Sequence, residues 1–202
     1  MMLVQDFKEL KFDEESHVYL LNGVQIPSVT QLMKPLTEKD YQDIPQWRLD
    51  KAAEKGTAVH EGIEIWLQYG IDDVPDEYSG YLDAFKKWWT DSGAELIDTE
   101  VRVYHKTKKY AGTCDLLCML DGKRTLVDYK SSVKVKKKSG GVQLEGYVQA
   151  LASQGIVIEQ KAILHIKKTR DYEFIKYPLR DAKSLRVFNA LKDIYDFQQE
   201  EE

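Results

Sequence analysis

Asp121-Gly122 is the dipeptide that most constrains what this chain can fold into. A two-residue type I′ turn needs positive φ at both central positions, and Asp-Gly supplies them between two apolar runs. Residues 112–132, GTCDLLCMLDGKRTLVDYKSS, therefore read as two antiparallel strands. With Asp121 and Gly122 as the loop, Leu120 faces Lys123, and counting back sets Asp115 across from Asp128. Opposed residues hold their Cβ atoms about 4.5–5.5 Å apart, and like charges there repel. Side chains alternate along a strand, so Lys130 shares a face with Asp128, beside Thr113. Two carboxylates with an ammonium at their edge make chemical sense around a divalent cation. Leu117 and Leu126 make one face of the hairpin apolar, Leu116 and Val127 the other. That predicts a central position in the sheet, covered on both sides.

At 202 residues, 43% apolar and 31% charged, the chain is expected to form one soluble domain with a real core. Residues 1–45 read as an N-terminal extension, 46–180 as the core and 181–202 as a closing helix. No apolar run approaches the roughly 20 residues of a membrane span. The first residues lack a basic start followed by an apolar stretch, so no secretory signal is expected and the location read is cytoplasmic. Cys114 and Cys118, at i and i+4 of one strand, are expected on the same face as reduced core residues. Two thiols cannot supply a four-cysteine zinc site or an iron–sulfur cluster.

The net charge of −5 argues weakly against a polyanionic partner, but its distribution argues the other way. Residues 102–138 hold eleven Lys and Arg against three acids, a local +8, and the remainder is −13. Two of those three acids are the opposed pair. A positive field around a candidate cation site suggests a phosphate-bearing substrate; the bland alternative is a solvated lysine-rich surface.

In chain order, residues 8–26 read as short strands around an Asn22-Gly23 turn. Pro27-Ser28-Val29-Thr30 starts a short helix capped by Ser28 or Thr30, with Pro35 ending it. A long helix is expected from Pro45 to Tyr69, stopped by Gly70, with Ala52, Ala53, Val59, Ile63 and Trp66 as its apolar stripe. Gly56 is awkward there and reads as a break or a close backbone contact. Residues 71–79 are a polar loop, and Tyr81, Phe85, Trp88 and Trp89 then follow a helical period, better explained by core packing than by base stacking. A strand over 95–104, a basic turn over 106–110 and the hairpin follow. Residues 133–141 read as a lysine loop and 142–153 as a helix. Strands over 159–167 and 172–177 come next. A last helix presents Leu185, Phe188, Leu191 and Ile194, and the acidic end is expected to fray. The order predicts a mixed α/β domain with a central sheet.

Asp115 and Asp128 suit Mg²⁺ or Mn²⁺, which prefer oxygen ligands. The bland reading puts one of them in a bulge facing solvent, with Lys130 a structural counter-ion. As a catalyst, Lys130 would orient or deprotonate an attacking water and stabilise charge on a phosphate. His60 sits on the long helix; a lone histidine is more often packed or exposed than functional. Glu64, one turn on, could fix its tautomer. Gln143 and Tyr147 share a helix face after the hairpin, a pair uninformative by itself.

Taken in order, Gly-Thr-x-Asp115, Asp128-Tyr-Lys130-Ser-Ser and Gln143-x-x-x-Tyr147, preceded by a helix histidine, resemble the PD-(D/E)XK nuclease superfamily. The nearer likeness is to its RecB-like branch. Pro27-Ser-Val-Thr and Gly56-Thr-Ala-Val-His60 resemble the opening of phage and mitochondrial genome maintenance exonucleases. The likeness spans about residues 20–150. It implies a restriction-endonuclease-like core. It further implies His60, Asp115, Asp128 and the Tyr129 carbonyl as metal ligands, Lys130 as the catalytic lysine, and Glu100 as a supporting or water-holding acid. Gln143 and Tyr147 would support the site and the DNA backbone, and Ser131 could touch a phosphate. Cys114 stands where the superfamily's name has proline, and Asp128 where Glu is also allowed.

The resulting expectation is a Mg²⁺- or Mn²⁺-dependent exodeoxyribonuclease acting on single-stranded or frayed DNA. Lys106, Lys108, Lys109, Lys134, Lys136, Lys137 and Lys138 would guide the strand. A structure-specific endonuclease and a catalytically silent nucleic-acid-binding accessory protein are the rivals. The oligomeric state is not readable from the sequence.

Overall fold

The computed structural model describes residues 9–14 and 16–200, the side chain of Asp40 excepted. The expectations for the first eight residues and for the last two of the acidic tail fall outside them.

Turn chemistry sets the frame. Asn22 and Gly23 have φ of 52° and 82°, and Asp121 and Gly122 have 52° and 70°, the left-handed pairs that tight hairpins require. The first turn joins β2 (Val18–Leu21) to β3 (Val24–Ile26), and β1 (Leu10–Asp13) completes a three-stranded antiparallel sheet. The second joins β5 (Ala111–Leu120) to β6 (Lys123–Lys130) at the centre of a five-stranded sheet. β4 (Glu95–Tyr104) lies outside β5; β7 (Gln160–Ile166) and β8 (Tyr172–Tyr177) extend the other side. Among the ladders of the described five-stranded sheet the β6–β7 pairing is the parallel one, and the crossover between those strands is α5 (Lys137–Ser153).

Helices cover both faces, so the fold is the expected α/β class: a central mixed sheet flanked by helices, with an N-terminal antiparallel addition. On one face α5, α6 (Ala182–Gln199) and the short α1 (Val29–Leu32) pack Leu144, Phe188 and Leu32 onto Val103, Leu117 and Leu126. On the other, α3 (Gln46–Tyr69) and α4 (Ser79–Ser92) pack Ile63, Phe85 and Trp88 onto Leu116, Val127 and Leu164. Phe85 and Trp88 are buried, as core packing requires. The small sheet docks through Tyr19, Leu21 and Ile26 onto Tyr104 and Ala111. The Tyr19 hydroxyl is bonded to Thr113 at 2.8 Å, and Ala111 N–H donates to the Pro27 carbonyl.

Several expectations need correction. Pro35 does not simply end α1; it sits in the first turn of a second short helix, α2 (Lys34–Thr37), where its missing N–H costs nothing. Ser28 is the α1 cap, in a reciprocal capping box with Gln31. The apolar stripe of α3 is buried only at Val59 and Ile63, and Ala52 and Ala53 are exposed. Gly56 neither breaks α3 nor meets a neighbour: a Cβ there would find nothing within 4 Å. α5 starts at Lys137 rather than 142, so Lys137 and Lys138 are helical. Gly140 and Gly141 continue the helix because it lies close on the sheet: a Cβ at Gly140 would stand 2.3 Å from Ile163 Cδ1. On α6 the buried line runs through Ser184, Phe188 and Leu191, leaving Ile194 49% exposed.

The two cysteines do not share a face. Cys114 packs with Val101 and Leu117, Cys118 with Leu116 and Leu120 on the opposite side of the sheet. Residues of equal parity reach opposite faces only if alternation fails between them, and it fails at Asp115.

Candidate active site

The β5–β6 ladder keeps the expected register but ends at Leu116↔Val127, one step short of the two aspartates. Beyond that point β6 pairs with β7 alone, through Asp128↔Ile163 to Lys130↔His165. Asp115 bridges the gap with its side chain: Oδ2 accepts the Tyr129 N–H at 2.6 Å, doing what a strand carbonyl would otherwise do. The Asp115 carbonyl accepts from the Thr99 hydroxyl at 3.0 Å. Sheet geometry thus fixes both ends of this residue.

β4 contributes Glu100, which lies between the ladder pairs Thr99↔Leu116 and Val101↔Cys114. Its φ of 49° is left-handed, an uncommon conformation for a residue with a Cβ, and the strand shifts register between Leu96 and Asp98. This irregularity turns the carboxylate toward α3. There His60 Nδ1 lies 3.5 Å from Glu100 Oε1 and 3.7 Å from Asp115 Oδ1. His60, Glu100 and Asp115 form the group of potential metal ligands found among the described residues, their ligand atoms all within 4.8 Å of one another.

Asp128 and Lys130 sit beside this group as an ion pair, Nζ 2.6 Å from Oδ2, with Asp128 buried. Tyr129 points away between them, edge-on to His60 and to Phe85. Burial raises the Asp128 carboxyl; Lys130 opposes this and Asp115 adds to it, leaving it pushed up to about 6. Burial also raises Asp115, against the pull of His60 and Lys130. Burial opposes the charge on His60, but Asp115 and the hydrogen bond that the imidazole donates to Glu100 overcome it and push the imidazole up to about 9. Lys130 is also held above its ordinary value: burial disfavours the ammonium, and Asp128 and Asp115 more than compensate. Without an ion the carboxylates favour the charged form of both groups; a bound divalent cation would displace the His60 proton.

Glu100 Oε1 is buried with no donor nearer than His60 Nδ1 at 3.5 Å, whereas Asp128 Oδ2 is held by the Lys130 ammonium. A buried carboxylate oxygen so weakly partnered is costly unless a cation satisfies it. Oxygen donors with one imidazole suit Mg²⁺ or Mn²⁺. By this test the residues present fit a divalent ion.

A cleft of about 1410 Å³ leads to the group, lined by Lys11 and Phe12 of β1, by Gly56, Thr57 and His60 of α3, and by Glu100 and Arg102 of β4. Glu64 lines it too but accepts from Gln68, so the groups that orient His60 are Glu100 and Asp115 rather than Glu64. Lys55, which the sequence did not single out, donates to the Ser131 carbonyl at 2.8 Å and pins the strand end just past Lys130. It stands five residues before His60, which was the available signal.

Gln143 Nε2 lies 3.5 Å from the Tyr147 hydroxyl, at the limit of a hydrogen bond. Tyr147 is buried, and Gly112 makes room for it: a Cβ at Gly112 would stand 2.7 Å from Tyr147 Cε1 and 3.3 Å from Val29 Cγ2. Gly112→Ala should therefore displace the Tyr147 ring and destabilise the fold by about 1–3 kcal/mol. Urea denaturation checks this; an unchanged midpoint would mean that the ring moves aside freely.

The lysines do not form one track. Lys134, Lys136, Lys137 and Lys138 flank the N-terminus of α5, directly after Lys130. The turn carrying Lys106, Lys108 and Lys109 packs at the C-terminus of that helix: Lys106 N–H donates to Ser153 and Lys108 Nζ to Asn189 of α6. Seventeen residues of helix put about 25 Å between the two sets.

No protein-family model matches the chain, and no curated protein matches it. Among solved structures it is similar to SSO0001, at 18% identity and a TM-score of 0.45, over 83% of this chain and 74% of that one. It is similar to LHK-Exo in complex with dAMP, at 12% identity and a TM-score of 0.48, over 87% and 88%. A third likeness is to the alkaline exonuclease LHK-Exo from Laribacter hongkongensis, at 10% identity and a TM-score of 0.38, over 70% and 77%. Among the described residues, no helix is long and apolar enough to cross a membrane.

Proposed function

We propose that this protein is a metal-dependent deoxyribonuclease of the PD-(D/E)XK type, an exonuclease acting on single-stranded or frayed DNA ends. The observation that carries the reading is the His60–Glu100–Asp115 group set against the Asp128–Lys130 pair. A purely structural role gives no reason to gather three carboxylates where a sheet splays open.

His60, Glu100 and Asp115 would hold the ion, joined by Asp128 and the Tyr129 carbonyl as the resemblance implies. Mg²⁺ or Mn²⁺, when bound, supplies positive charge that activates water and neutralises charge developing on the phosphodiester. The chain's own residues do the rest. Asp128 fixes the Lys130 ammonium at 2.6 Å, and Lys55 locks the following backbone, so Lys130 presents a preoriented donor. The Lys130 ammonium, favoured by Asp128 and Asp115, would hold charge on a phosphate oxygen and orient the attacking water. Glu100, the most exposed acid of the group, would also hold an attacking water, as the resemblance implies. Gln143 and Tyr147 back the site from α5. Ser131 and the lysines from Lys134 to Lys138 guide the incoming strand; Lys106, Lys108 and Lys109, at the other end of α5, do not join them. The cleft is walled by β1 on one side and α3 on the other, which suits a strand entering by its end.

The test is cleavage of end-labelled linear single-stranded DNA and of closed circular single strands, each with Mg²⁺, Mn²⁺ or EDTA. The expected result is metal-dependent shortening of the linear strand alone, the label lost first giving the polarity. Cutting of the circle would replace the exonuclease with an endonuclease. Binding without cleavage in either metal would overturn the enzyme reading in favour of a silent accessory protein.

A further inference from the structure

Between α2 and α3 the chain carries three large apolar side chains that the core does not use. Tyr41 is 46% exposed, Ile44 39% and Trp47 63%. They recur every third residue along a string of tight turns, closed by backbone bonds from Tyr41 to Glu38, Ile44 to Tyr41 and Arg48 to Pro45. The turns hold the three side chains outward as a fixed set. Each ring already has a cation over it: Lys136 Nζ lies 4.8 Å from the Tyr41 centroid, and Arg48 Cζ lies 5.1 Å from that of Trp47. The Lys136 contact joins this segment to residues 134–138, which hold four lysines and no acid. Tyr41 also lies close enough to Lys130 for the two to interact electrostatically. Two exposed flat rings, each with a cation over it and the first joined to the lysine run after Lys130, match the way single-stranded nucleic acid is held: bases stack on the rings while the backbone follows the lysines.

We propose that Tyr41 and Trp47, flanked by Ile44, Lys136 and Arg48, form a stacking platform for successive bases of single-stranded DNA on its way to Lys130. The inference rests on the nuclease reading for its direction of travel, but the binding it describes needs neither metal nor cleavage. A second copy of this chain or an acidic protein partner would also meet the lysine run, and the titration below separates them from a single strand. A duplex, its bases already stacked on one another, cannot use it.

The experiment is a fluorescence titration of the full chain with oligothymidylate in EDTA, alongside a duplex of equal length. Trp47 is the most exposed of the four tryptophans, so its emission should be quenched on binding and the quench should vanish in Trp47→Leu. Tyr41→Ala and Trp47→Ala should each weaken single-strand binding roughly 5- to 150-fold, the range found for stacked bases, with duplex binding unchanged. Trp47→Phe, which keeps a ring, should retain most of the affinity. Variants that bind the single strand as tightly as the wild type would overturn the platform, as would equal losses on strand and duplex. A wild-type dimer that Trp47→Ala dissolves would also overturn it. Any of these outcomes, with cleavage still dependent on Asp128, sinks the platform and leaves the nuclease standing. Platform-dependent binding without cleavage in Mg²⁺ or Mn²⁺ does the reverse.

Discussion

Asp128→Asn should reduce metal-dependent cleavage by about 10³-fold while leaving the chain folded, a loss on the scale of removing one preorganised electrostatic group from an active site. Asp128 is buried at the point where β5 and β6 part, and it is the group that fixes Lys130. The amide keeps the volume and loses the charge. Full Mg²⁺-dependent cleavage by the variant, measured on linear single-stranded DNA, would remove the foundation of the proposed function. The same carboxyl gives the metal-free protein a pH signature. Held up at about 6 against an ordinary 3.8, it binds its proton more tightly folded than unfolded. Stability therefore falls as pH rises from about 4 to about 6, and the whole penalty is present above that window. Denaturation in EDTA should show this fall in the wild type and a flatter profile in Asp128→Asn. A divalent ion that binds only the folded state should recover stability at neutral pH in the wild type and much less in the variant.

Breaking the ion pair between Lys161 and Glu145 should cost about 3–5 kcal/mol, more than any single exposed contact in the protein. Lys161 lies on β7 and is fully buried; Glu145 reaches it from α5 and is 3% exposed. Neither group lines the cleft, so the pair belongs to the packing of the crossover helix on the sheet. Glu145→Ala leaves an ammonium in a low-dielectric core without its ion-pair partner. For a chain of this length that loss corresponds to a fall of roughly 10 °C in midpoint. The double variant Glu145→Leu/Lys161→Met should recover most of it, because two apolar groups of similar size restore packing without the cost of desolvation. A double variant as unstable as Glu145→Ala alone would show that the pair contributes beyond charge balance. Urea denaturation of the three proteins decides the matter.

Local chemistry was legible in the sequence wherever neighbours along the chain decide the outcome. Asn22-Gly23 and Asp121-Gly122 announce their turns, and Gly70, left-handed at φ 70°, stops α3 as expected. The strands Glu95–Tyr104 and Tyr172–Tyr177 have the bounds their patterns suggested. What was not legible depends on contacts distant in sequence. Gly140 and Gly141 look like loop residues until Ile163 and Tyr177 are seen pressed against them. Lys161 in a strand pattern gives no hint that Glu145 will neutralise it. At the site, counting from the turn brought Asp115 and Asp128 to the same step. The place of Glu100 beside His60 depends on a left-handed residue in β4 that no periodicity reports.

The interrupted alternation at Asp115 gives the protein a pair of built-in reporters. Cys114 and Cys118 are both buried and free, but each sits in a different helical layer. Four residues of strand separate their Cα atoms by roughly 13 Å, well beyond the span of a disulfide, so oxidation cannot staple them. A thiol reagent can reach Cys114 only when the α5–α6 layer lifts, and Cys118 only when the α3–α4 layer does. Labelling kinetics on single-cysteine variants would thus read the opening of the two layers separately. If the rates coincide, the sheet and both helical layers come apart as one cooperative unit; if Cys118 reacts first, the layer bearing His60 is the one that loosens.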